Sequence, residues 1–300
     1  MAQQPHTCAR SAPAHPTAVD HGPARRLTQA LTAVLLGLTA MACATPTPPP
    51  STVDAEIGEV RAGSRVLKGY LPRESLPNSL SLLPPAPAAG SAQAAADEAH
   101  HRRTRRLKDS PRGALAREDA NYIYPEAGQV FACALGVDID AKRAPHLATL
   151  MRRSMTDAGL ATYKAKDHYQ RVRPFVQHKE ATCDPAGEAR LLKDGAYPSG
   201  HAALGWVWGL VLASLAPDRA DAVLTRAYAY GDSRLVCGVH WASDVEAGRT
   251  MGAATYAMLQ GDPIFQAQQQ LARAELQALR KNGPTTTKDC AAEAAALSLK

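Results

Sequence analysis

Three side chains capable of acid–base and charge chemistry lie close together within otherwise apolar sequence. Arg234 is followed six residues later by His240, and Asp244 comes four residues after that. If this segment is helical, His240 and Asp244 occupy i and i+4 on one face, and helical side chains lean toward the N-terminus. The carboxylate would then fix one ring nitrogen of His240 and leave the other nitrogen's lone pair free to attack. The alternative interpretation is an incidental His/Asp pair on a surface helix.

Two upstream segments favour an anion site. Ser199 stands where a helix N-cap would be, and it is followed by Gly200, His201 and an apolar run. A helix N-terminus presents free N–H groups and the positive end of a dipole, so an anion can bind there with His201 beside it. Lys166 and Arg173 are seven residues apart, close to two helical turns, and both cations could converge on one anion. The proline after Arg173 predicts that this helix ends near it.

Taken in chain order, these segments form one pattern: Lys166-x6-Arg173-Pro174, Pro198-Ser199-Gly200-His201 and Ser233-Arg234-x5-His240-x3-Asp244. The pattern resembles the three-part signature of the superfamily that contains type 2 phosphatidic acid phosphatases, bacterial non-specific acid phosphatases and vanadium haloperoxidases. Further stretches are more similar to the class A non-specific acid phosphatases: Tyr70-Leu71, Leu80 to Pro85, Arg112-Gly113, Glu118 to Asn121 and Lys166 to Tyr169. The resemblance extends from about residue 70 to about residue 270.

The resemblance implies hydrolysis of phosphate monoesters, with broad specificity that could include nucleotides and with transfer to alcohols as a side reaction. In that scheme His240 is the nucleophile that forms a phosphohistidine, Asp244 holds its ring, and His201 protonates the leaving alcohol. The phosphate oxygens are bound by Lys166, Arg173, Ser199, Gly200 and Arg234. Three cations provide the charge stabilisation that phosphoryl transfer requires, so we expect neither a metal nor a cofactor.

Other functions remain open from the sequence. A vanadate-dependent haloperoxidase would bind vanadate in the same constellation. An integral lipid phosphatase would need several apolar spans, and no segment after Ala42 is long enough to be one. A non-catalytic, anion-binding lipoprotein would keep the pocket without turnover, but such a protein would be expected to have lost His240 or Asp244.

The apolar pattern predicts an all-α fold, a single helical bundle whose active site is built from three helix and loop segments. No alternating strand pattern of any length is present. Phe occurs only three times, so the core must be built from Leu, Ala and Val, a composition that favours helices over sheet. We predict helices at about 115–134 (interrupted or kinked at Pro125), 143–159, 162–172, 186–193, 200–215, 218–233, 240–259 and 262–281.

The N-terminal part of the sequence is typical of an exported protein. A basic pair, an apolar run and small residues predict a signal peptide over residues 1–42, which includes an unusually long N-terminal extension. Cys43 is a candidate lipid anchor, and simple cleavage after Ala42 or Ala44 is the alternative. We therefore expect a periplasmic protein, membrane-anchored if lipidated, with no transmembrane span in the mature chain. The predicted organisation is a Pro-rich linker at 43–69, a catalytic domain at 70–276 and a mobile tail at 277–300.

Four cysteines remain in the mature body, and an exported protein can join them as disulfides in three ways. Cys183 and Cys237 both flank site segments, so we favour that bridge; the alternative leaves Cys133 and Cys237 as buried thiols. The net charge of +6 favours anionic partners, and we expect small phosphorylated substrates. No nucleic-acid-binding motif accompanies that charge. A homodimer is one oligomeric state that the sequence allows.

Overall fold

Helices form the regular structure of the residues that the computed structural model describes, which are 49–281, 283 and 285–299. Within these ranges the only β-type pairing is an isolated antiparallel bridge between Glu59 and Leu67. The prediction of an all-α fold is confirmed. The predicted signal peptide and Cys43 lie outside the described residues.

The α-helices, in chain order, are α1 (Asp54–Ile57), α2 (Ser79–Leu82), α3 (Ala92–Thr104), α4 (Pro111–Glu118), α5 (Ala132–Leu135), α6 (Pro145–Ala161), α7 (Tyr163–Tyr169), α8 (Pro174–His178), α9 (Pro185–Leu191), α10 (Gly200–Leu215), α11 (Ala220–Val236), α12 (Ala242–Leu259), α13 (Pro263–Arg280) and α14 (Cys290–Ser298). Short 3-10 turns lie at Arg73–Ser75, Arg105–Leu107, Glu126–Gln129 and Pro217–Arg219. Proline occupies the first turn of several helices, where its missing N–H costs nothing.

Helix α10 is the centre of the bundle. It packs against α6, α11 and α12, while α13 covers the other side of α6. Trp208 on α10 is fully buried, and its indole N–H donates to the Met151 carbonyl of α6 at 2.8 Å. This bond satisfies the one polar atom of a large buried ring, and it fixes α10 against α6.

Close helix contacts hold the start of α10 in position. A Cβ atom on Gly248 of α12 would collide with the carbonyl oxygen of Ser199, the residue that precedes α10. A Cβ atom on Gly205 of α10 would likewise overlap the ring of Tyr230 on α11. Glycine at both positions therefore lets α11 and α12 approach the helix that carries His201.

A buried polar network joins α4 to α11. Asp119 accepts from the guanidinium of Arg226 at 2.5 Å and from the hydroxyl of Ser233 at 2.5 Å. Arg112 donates to the same Ser233 oxygen at 3.0 Å. These charges are buried but paired and hydrogen-bonded, as buried ions must be. The network holds the end of α11, and with it the adjacent Arg234, in a defined position.

The helix predicted at 115–134 is interrupted and not merely kinked, and the helix α3 was not predicted. The chain forms α4, a loop, the 3-10 turn at Glu126–Gln129 and α5 instead of one long helix. Pro125 disfavours helical geometry in the residue before it, and Gly136 ends α5 with a φ of 79°. Helix α3 begins at an N-cap, Ser91, whose side chain accepts from the Ala94 backbone N–H.

Residues 54–71 lie against α6, which differs from the predicted linker. Leu67 is fully buried, and its carbonyl accepts from the hydroxyl of Thr156 at 2.8 Å. The carboxylate of Asp157 accepts from the backbone N–H groups of Tyr70 and Leu71 at 2.8 and 3.2 Å. The sequence alone could not predict these contacts, because each joins positions more than eighty residues apart.

The C-terminal segment also differs from the predicted mobile tail. A disulfide joins Cys290 at the start of α14 to Cys133 in α5. The carboxylate of Asp138 accepts from the hydroxyls of Thr286 and Thr287 at 2.8 and 2.9 Å. These links attach α14 to the bundle beside α4. Among the described residues, no helix combines the length and apolar character needed to cross a bilayer.

Candidate active site

The three segments singled out in the sequence meet around one cavity of about 180 Å³. One wall comes from α7 and the loop after it, a second from the start of α10, and a third from the end of α11 and the loop before α12. Six predicted site residues line this cavity: Lys166, Arg173, Gly200, His201, Arg234 and His240. The other two, Ser199 and Asp244, are fully buried directly behind it.

His240 is held between a cation and a carboxylate. Its Nε2 atom lies 3.0 Å from Nη1 of Arg173, and its Nδ1 atom lies 3.4 Å from Oδ2 of Asp244. A guanidinium can only donate, so Nε2 must accept and the ring proton must sit on Nδ1, facing Asp244. Burial, reinforced by the charges of Arg173, Lys166 and Arg234, holds the pKa of His240 well below its ordinary value. The ring is therefore neutral, with a lone pair on the cavity side.

The helical geometry expected for His240 differs in one respect. Helix α12 begins at Ala242, so His240 precedes it, and Asp244 caps the helix by accepting from the Trp241 backbone N–H at 2.8 Å. The same oxygen of Asp244, Oδ2, therefore caps α12 and faces Nδ1 of the imidazole. This places His240 in a loop whose position is fixed by the first turn of α12.

Sequence reasoning missed Arg171, which binds the second oxygen of Asp244. Its Nη1 atom donates to Oδ1 of Asp244 at 2.5 Å and to the Ser243 hydroxyl at 2.7 Å, and its Nη2 atom donates to Asp97 at 2.7 Å. Burial raises the pKa of Asp244, and the charge of Arg171 opposes that rise. Arg171 stands two positions before Arg173, but nothing in the spacing shows that the two side chains diverge.

Lys166 and Arg173 form a cationic wall of the cavity. The Lys166 ammonium donates to the Gly195 carbonyl at 2.5 Å, and Arg173 donates from Nε to the Leu191 carbonyl at 2.9 Å. Burial and the neighbouring Arg173 charge lower the pKa of Lys166 to about 8. Burial lowers the pKa of Arg173 to about 10. Helix α7 ends at Tyr169, so the two cations converge across a turn and not along one continuous helix.

Asp194 is a second residue that the sequence did not single out. Its carboxylate lies 3.4 Å from the Lys166 ammonium and 3.3 Å from Nη2 of Arg173, at the edge of the cavity. It belongs to the loop between α9 and α10. A lone aspartate in a polar loop sequence carries no periodic or motif signal.

Arg234 is the least satisfied cation of the site. The side chain is almost fully buried, and its Nε and Nη1 atoms have no hydrogen-bond partner in the described part of the chain. Burial lowers its pKa, although a guanidinium stays charged near neutral pH. Buried guanidinium N–H groups normally find acceptors. Unpaired donors that line a cavity therefore indicate a site for an anion.

The start of α10 supplies neutral donors. The Ser199 hydroxyl oxygen caps the helix by accepting from the Ala202 N–H at 3.2 Å, which leaves its own proton free to donate. Gly200 is the first helical residue and lines the cavity. This is the anion-binding geometry of a helix N-terminus.

His201 faces His240 from the first turn of α10. Its ring stacks on Tyr230 with centroids 5.6 Å apart, and it meets the edge of Tyr122 at 5.3 Å. Nε2 of His201 has no hydrogen-bond partner among the described residues. Burial, and then the charge of Arg234, hold the pKa of His201 well below its ordinary value. Bonds to the backbone of residues 119 and 120 favour the charged ring but are outweighed.

The Cys183–Cys237 disulfide that we favoured is present. Cys237 lies three residues before His240, and Cys183 lies just before α9, which carries Arg190 at the cavity rim. The bridge therefore joins two walls of the site. Apolar side chains complete the cavity, and they include Val60 and Val66, for which the sequence held no signal.

Comparisons with known proteins identify the family of this chain. Residues 148–261 match the PAP2 superfamily. The chain is 40% identical over 213 residues to a non-specific acid phosphatase of Providencia stuartii, covering 71% of this chain and 86% of that protein. It is 40% identical to an acid phosphatase of Zymomonas mobilis (69% and 78% covered) and 39% identical to a non-specific acid phosphatase of Salmonella typhimurium (69% and 83% covered). The chain therefore belongs to the class A non-specific acid phosphatases, a family of phosphomonoester hydrolases within the PAP2 superfamily.

Proposed function

We propose that this protein is an exported, metal-independent acid phosphatase that works through a phosphohistidine on His240. One observation carries the proposal. Unpaired donors of Arg234 and the unpartnered Nε2 of His201 share a cavity with the acceptor nitrogen of His240. That arrangement can hold a tetrahedral anion, attack it and protonate what leaves.

In the first half-reaction, Nε2 of His240 forms a bond to phosphorus as the bond from phosphorus to the ester oxygen breaks. The proton on Nδ1 stays in place, so the phosphorylated ring becomes cationic, and the carboxylate of Asp244 stabilises that charge. Phosphoryl transfer depends mainly on positioning and charge stabilisation. The equatorial oxygens are bound by Lys166, Arg173, Arg234, the Ser199 hydroxyl and the Gly200 amide.

His201 handles the protons of both halves. It donates a proton to the departing alkoxide oxygen, and in the second half it accepts one from water as the water oxygen attacks phosphorus. The bond between phosphorus and Nε2 of His240 then breaks, and phosphate leaves. Burial and the charge of Arg234 lower the pKa of His201. A bound phosphate offsets that cation and favours the protonated ring, so substrate binding itself charges the acid.

The rim of the cavity supports broad substrate specificity. Tyr122, Tyr163, Val60 and Val66 line it, and such a surface accepts flat or apolar leaving groups without selecting one by hydrogen bonding. Nucleoside monophosphates fit this description. An alcohol that takes the place of water beside His201 would receive the phosphoryl group, which gives phosphotransfer as a side reaction.

Export is supported by the predicted signal peptide and by the two disulfides, which persist in oxidising compartments. We propose a periplasmic location. Lipidation at Cys43 would anchor the protein to the membrane, and cleavage beyond that residue would release it. Mass spectrometry of the protein purified from its native cells distinguishes the two mature N-termini.

Trapping of the intermediate tests the mechanism. Alkaline quenching during turnover of p-nitrophenyl phosphate labelled in its phosphate should yield a phosphorylated protein in the wild type, and in His201→Ala with this activated ester, because the P–N bond of a phosphohistidine survives in base and hydrolyses in acid. It should yield none in His240→Ala, and His168→Ala, a change on the exposed face of α7, serves as the matched control. Activity should survive EDTA. Activity restored only by a divalent ion, or a phosphoenzyme formed by His240→Ala at the wild-type rate, would refute the scheme.

A further inference from the structure

Asp194 places a negative charge inside a site built for an anion. Its Oδ2 atom lies between the Lys166 ammonium, at 3.4 Å, and Nη2 of Arg173, at 3.3 Å. The side chain is about one-fifth exposed (19%) and lines the same cavity as His240 and His201. An oxygen of a bound phosphate that reaches either cation from the cavity side therefore becomes a neighbour of this carboxylate.

Two unprotonated oxygens side by side repel each other, whereas a protonated phosphate oxygen can donate to a carboxylate. The second ionisation of a phosphate monoester has a pKa of about 6, so a P–OH group is available below that pH. A charge-assisted O–H···O hydrogen bond is also among the stronger hydrogen bonds in proteins. The carboxylate thus distinguishes the two ionic forms of one substrate.

The charged and titratable groups around Asp194 come from every neighbouring element. Tyr163 and Lys166 face it from α7, Arg173 faces it from the loop before α8, and Arg190 faces it from α9. Arg234, His201 and His240 line the same cavity. Among the described lining residues, Asp194 is the one carboxylate. Within the described lining, Asp194 is therefore the only carboxylate that can accept a hydrogen bond from a P–OH group of the phosphate.

We propose that Asp194 selects the monoanionic form of the substrate phosphate by accepting a hydrogen bond from its protonated oxygen. This inference rests on the proposed phosphatase site and adds to it the protonation state of the substrate. Because the monoanion is the form of the substrate present at lower pH, Asp194 makes substrate binding stronger at acid pH. It acts alongside the titration of His240 and His201.

Two inhibitors that cannot be hydrolysed separate substrate ionisation from enzyme ionisation. Fluoromethylphosphonate and difluoromethylphosphonate differ in second pKa because each fluorine withdraws electrons, and both carry the same three oxygens. Their inhibition constants should be measured from pH 5 to about pH 7.5 for wild type, Asp194→Asn and Asp194→Ser. Asp194 also raises the pKa of Lys166, so inhibition by tungstate, a dianion throughout this range, is measured in each protein to account for the charge of Lys166. Asp167→Asn, an exposed change of the same charge on α7, is the matched control.

For wild type and Asp167→Asn, we expect each inhibition constant to rise about tenfold per pH unit above the second pKa of that inhibitor. The break should therefore occur at a different pH for each compound. In Asp194→Asn and Asp194→Ser the rise should flatten, and the dianion should bind at least tenfold more tightly than it does to wild type.

Three results would overturn the proposal: a break at one pH for both inhibitors, a wild-type slope in both Asp194 variants, or equal tightening at every pH. The last would show simple repulsion without selection. Inhibitor binding needs no phosphoryl transfer, so a normal profile combined with failed trapping on His240 would refute the mechanism and leave this inference intact.

Discussion

Nη1 of Arg173 donates to Nε2 of His240 at 3.0 Å, and the same nitrogen donates to the Val239 carbonyl at 2.9 Å. The guanidinium therefore fixes both the backbone and the ring of the nucleophile. It also selects the tautomer, because a nitrogen that accepts from a cation cannot carry the proton. When Nε2 turns its lone pair to phosphorus, that N–H is released and can bind an equatorial oxygen.

Arg173→Lys should separate charge from geometry. Lysine keeps the cation but cannot hold the ring and the loop with one planar group. We expect kcat/KM to fall by about 10²–10³-fold, the range for loss of one transition-state donor. In ¹⁵N NMR spectra of the free enzyme, His240 should change from a single Nδ1–H tautomer to a mixture. Arg102→Lys, an exposed change on α3, is the control, and an unchanged tautomer in Arg173→Lys would contradict the assignment.

Arg171→Leu should impair the enzyme through Asp244. Without the guanidinium, burial raises the pKa of Asp244 further, so the ionised form that supports His240 is lost at a higher pH than in wild type. In the plot of kcat against pH, the decrease on the acid side should therefore begin at a higher pH than in wild type. The free energy of unfolding should fall by about 3–5 kcal/mol, because buried carboxylates lose their partner. Arg171→Lys should restore part of both. An acid limb that stays in place would show that Arg171 acts only on stability.

We expect oxyanion binding to weaken at alkaline pH because Lys166 loses its charge. Its pKa is lowered to about 8, so the ammonium is charged below that pH and neutral above it. Inhibition by tungstate, a dianion throughout this range, should weaken as pH rises through about 8 in the wild type. In Lys166→Arg the transition should move to higher pH, since arginine retains its proton. The same transition in both proteins would assign it to another group.

His201→Ala should have effects that depend on the leaving group. A general acid contributes about 10²–10⁴-fold, mostly when the departing alcohol is a poor leaving group. Single-turnover formation of the phosphoenzyme should therefore slow severely with an alkyl phosphate or a nucleoside 5′-monophosphate. The loss should be much smaller with p-nitrophenyl phosphate, whose phenolate leaves unaided. Equal fractional losses would indicate that His201 binds phosphate and does not donate the proton.

The two disulfides should differ in what they support. Cys133 and Cys290 are 157 residues apart in the sequence, and neither lines the cavity. Cys133→Ser with Cys290→Ser should therefore lower the free energy of unfolding by about 2–4 kcal/mol and preserve kcat. Cys183 and Cys237 are 54 residues apart and join two walls of the site. Replacing that pair should reduce kcat/KM as well as Tm. Equal activity losses for the two double variants would contradict this division.

The long helices could be predicted because their signals are local. Helix α10 begins at the expected N-cap and ends at the expected leucine, and α12 differs from its prediction by two residues at the start. The convergence of Lys166, Arg234 and His240 agrees with the pattern implied by the family resemblance. Arg171 and Asp194 could not be predicted, since their roles depend on which way a side chain turns after α7 and in the loop before α10.

Val60 and Val66 reach the cavity from a segment that precedes the region of strongest family resemblance. The bridge between Glu59 and Leu67 and the burial of Leu67 keep this segment against α6. An enzyme shortened to begin at Tyr70 would retain every catalytic group and yet lose one side of its substrate entrance. The shortened enzyme would then select among phosphate esters differently from the full-length enzyme. A minimal version should therefore start no later than Asp54.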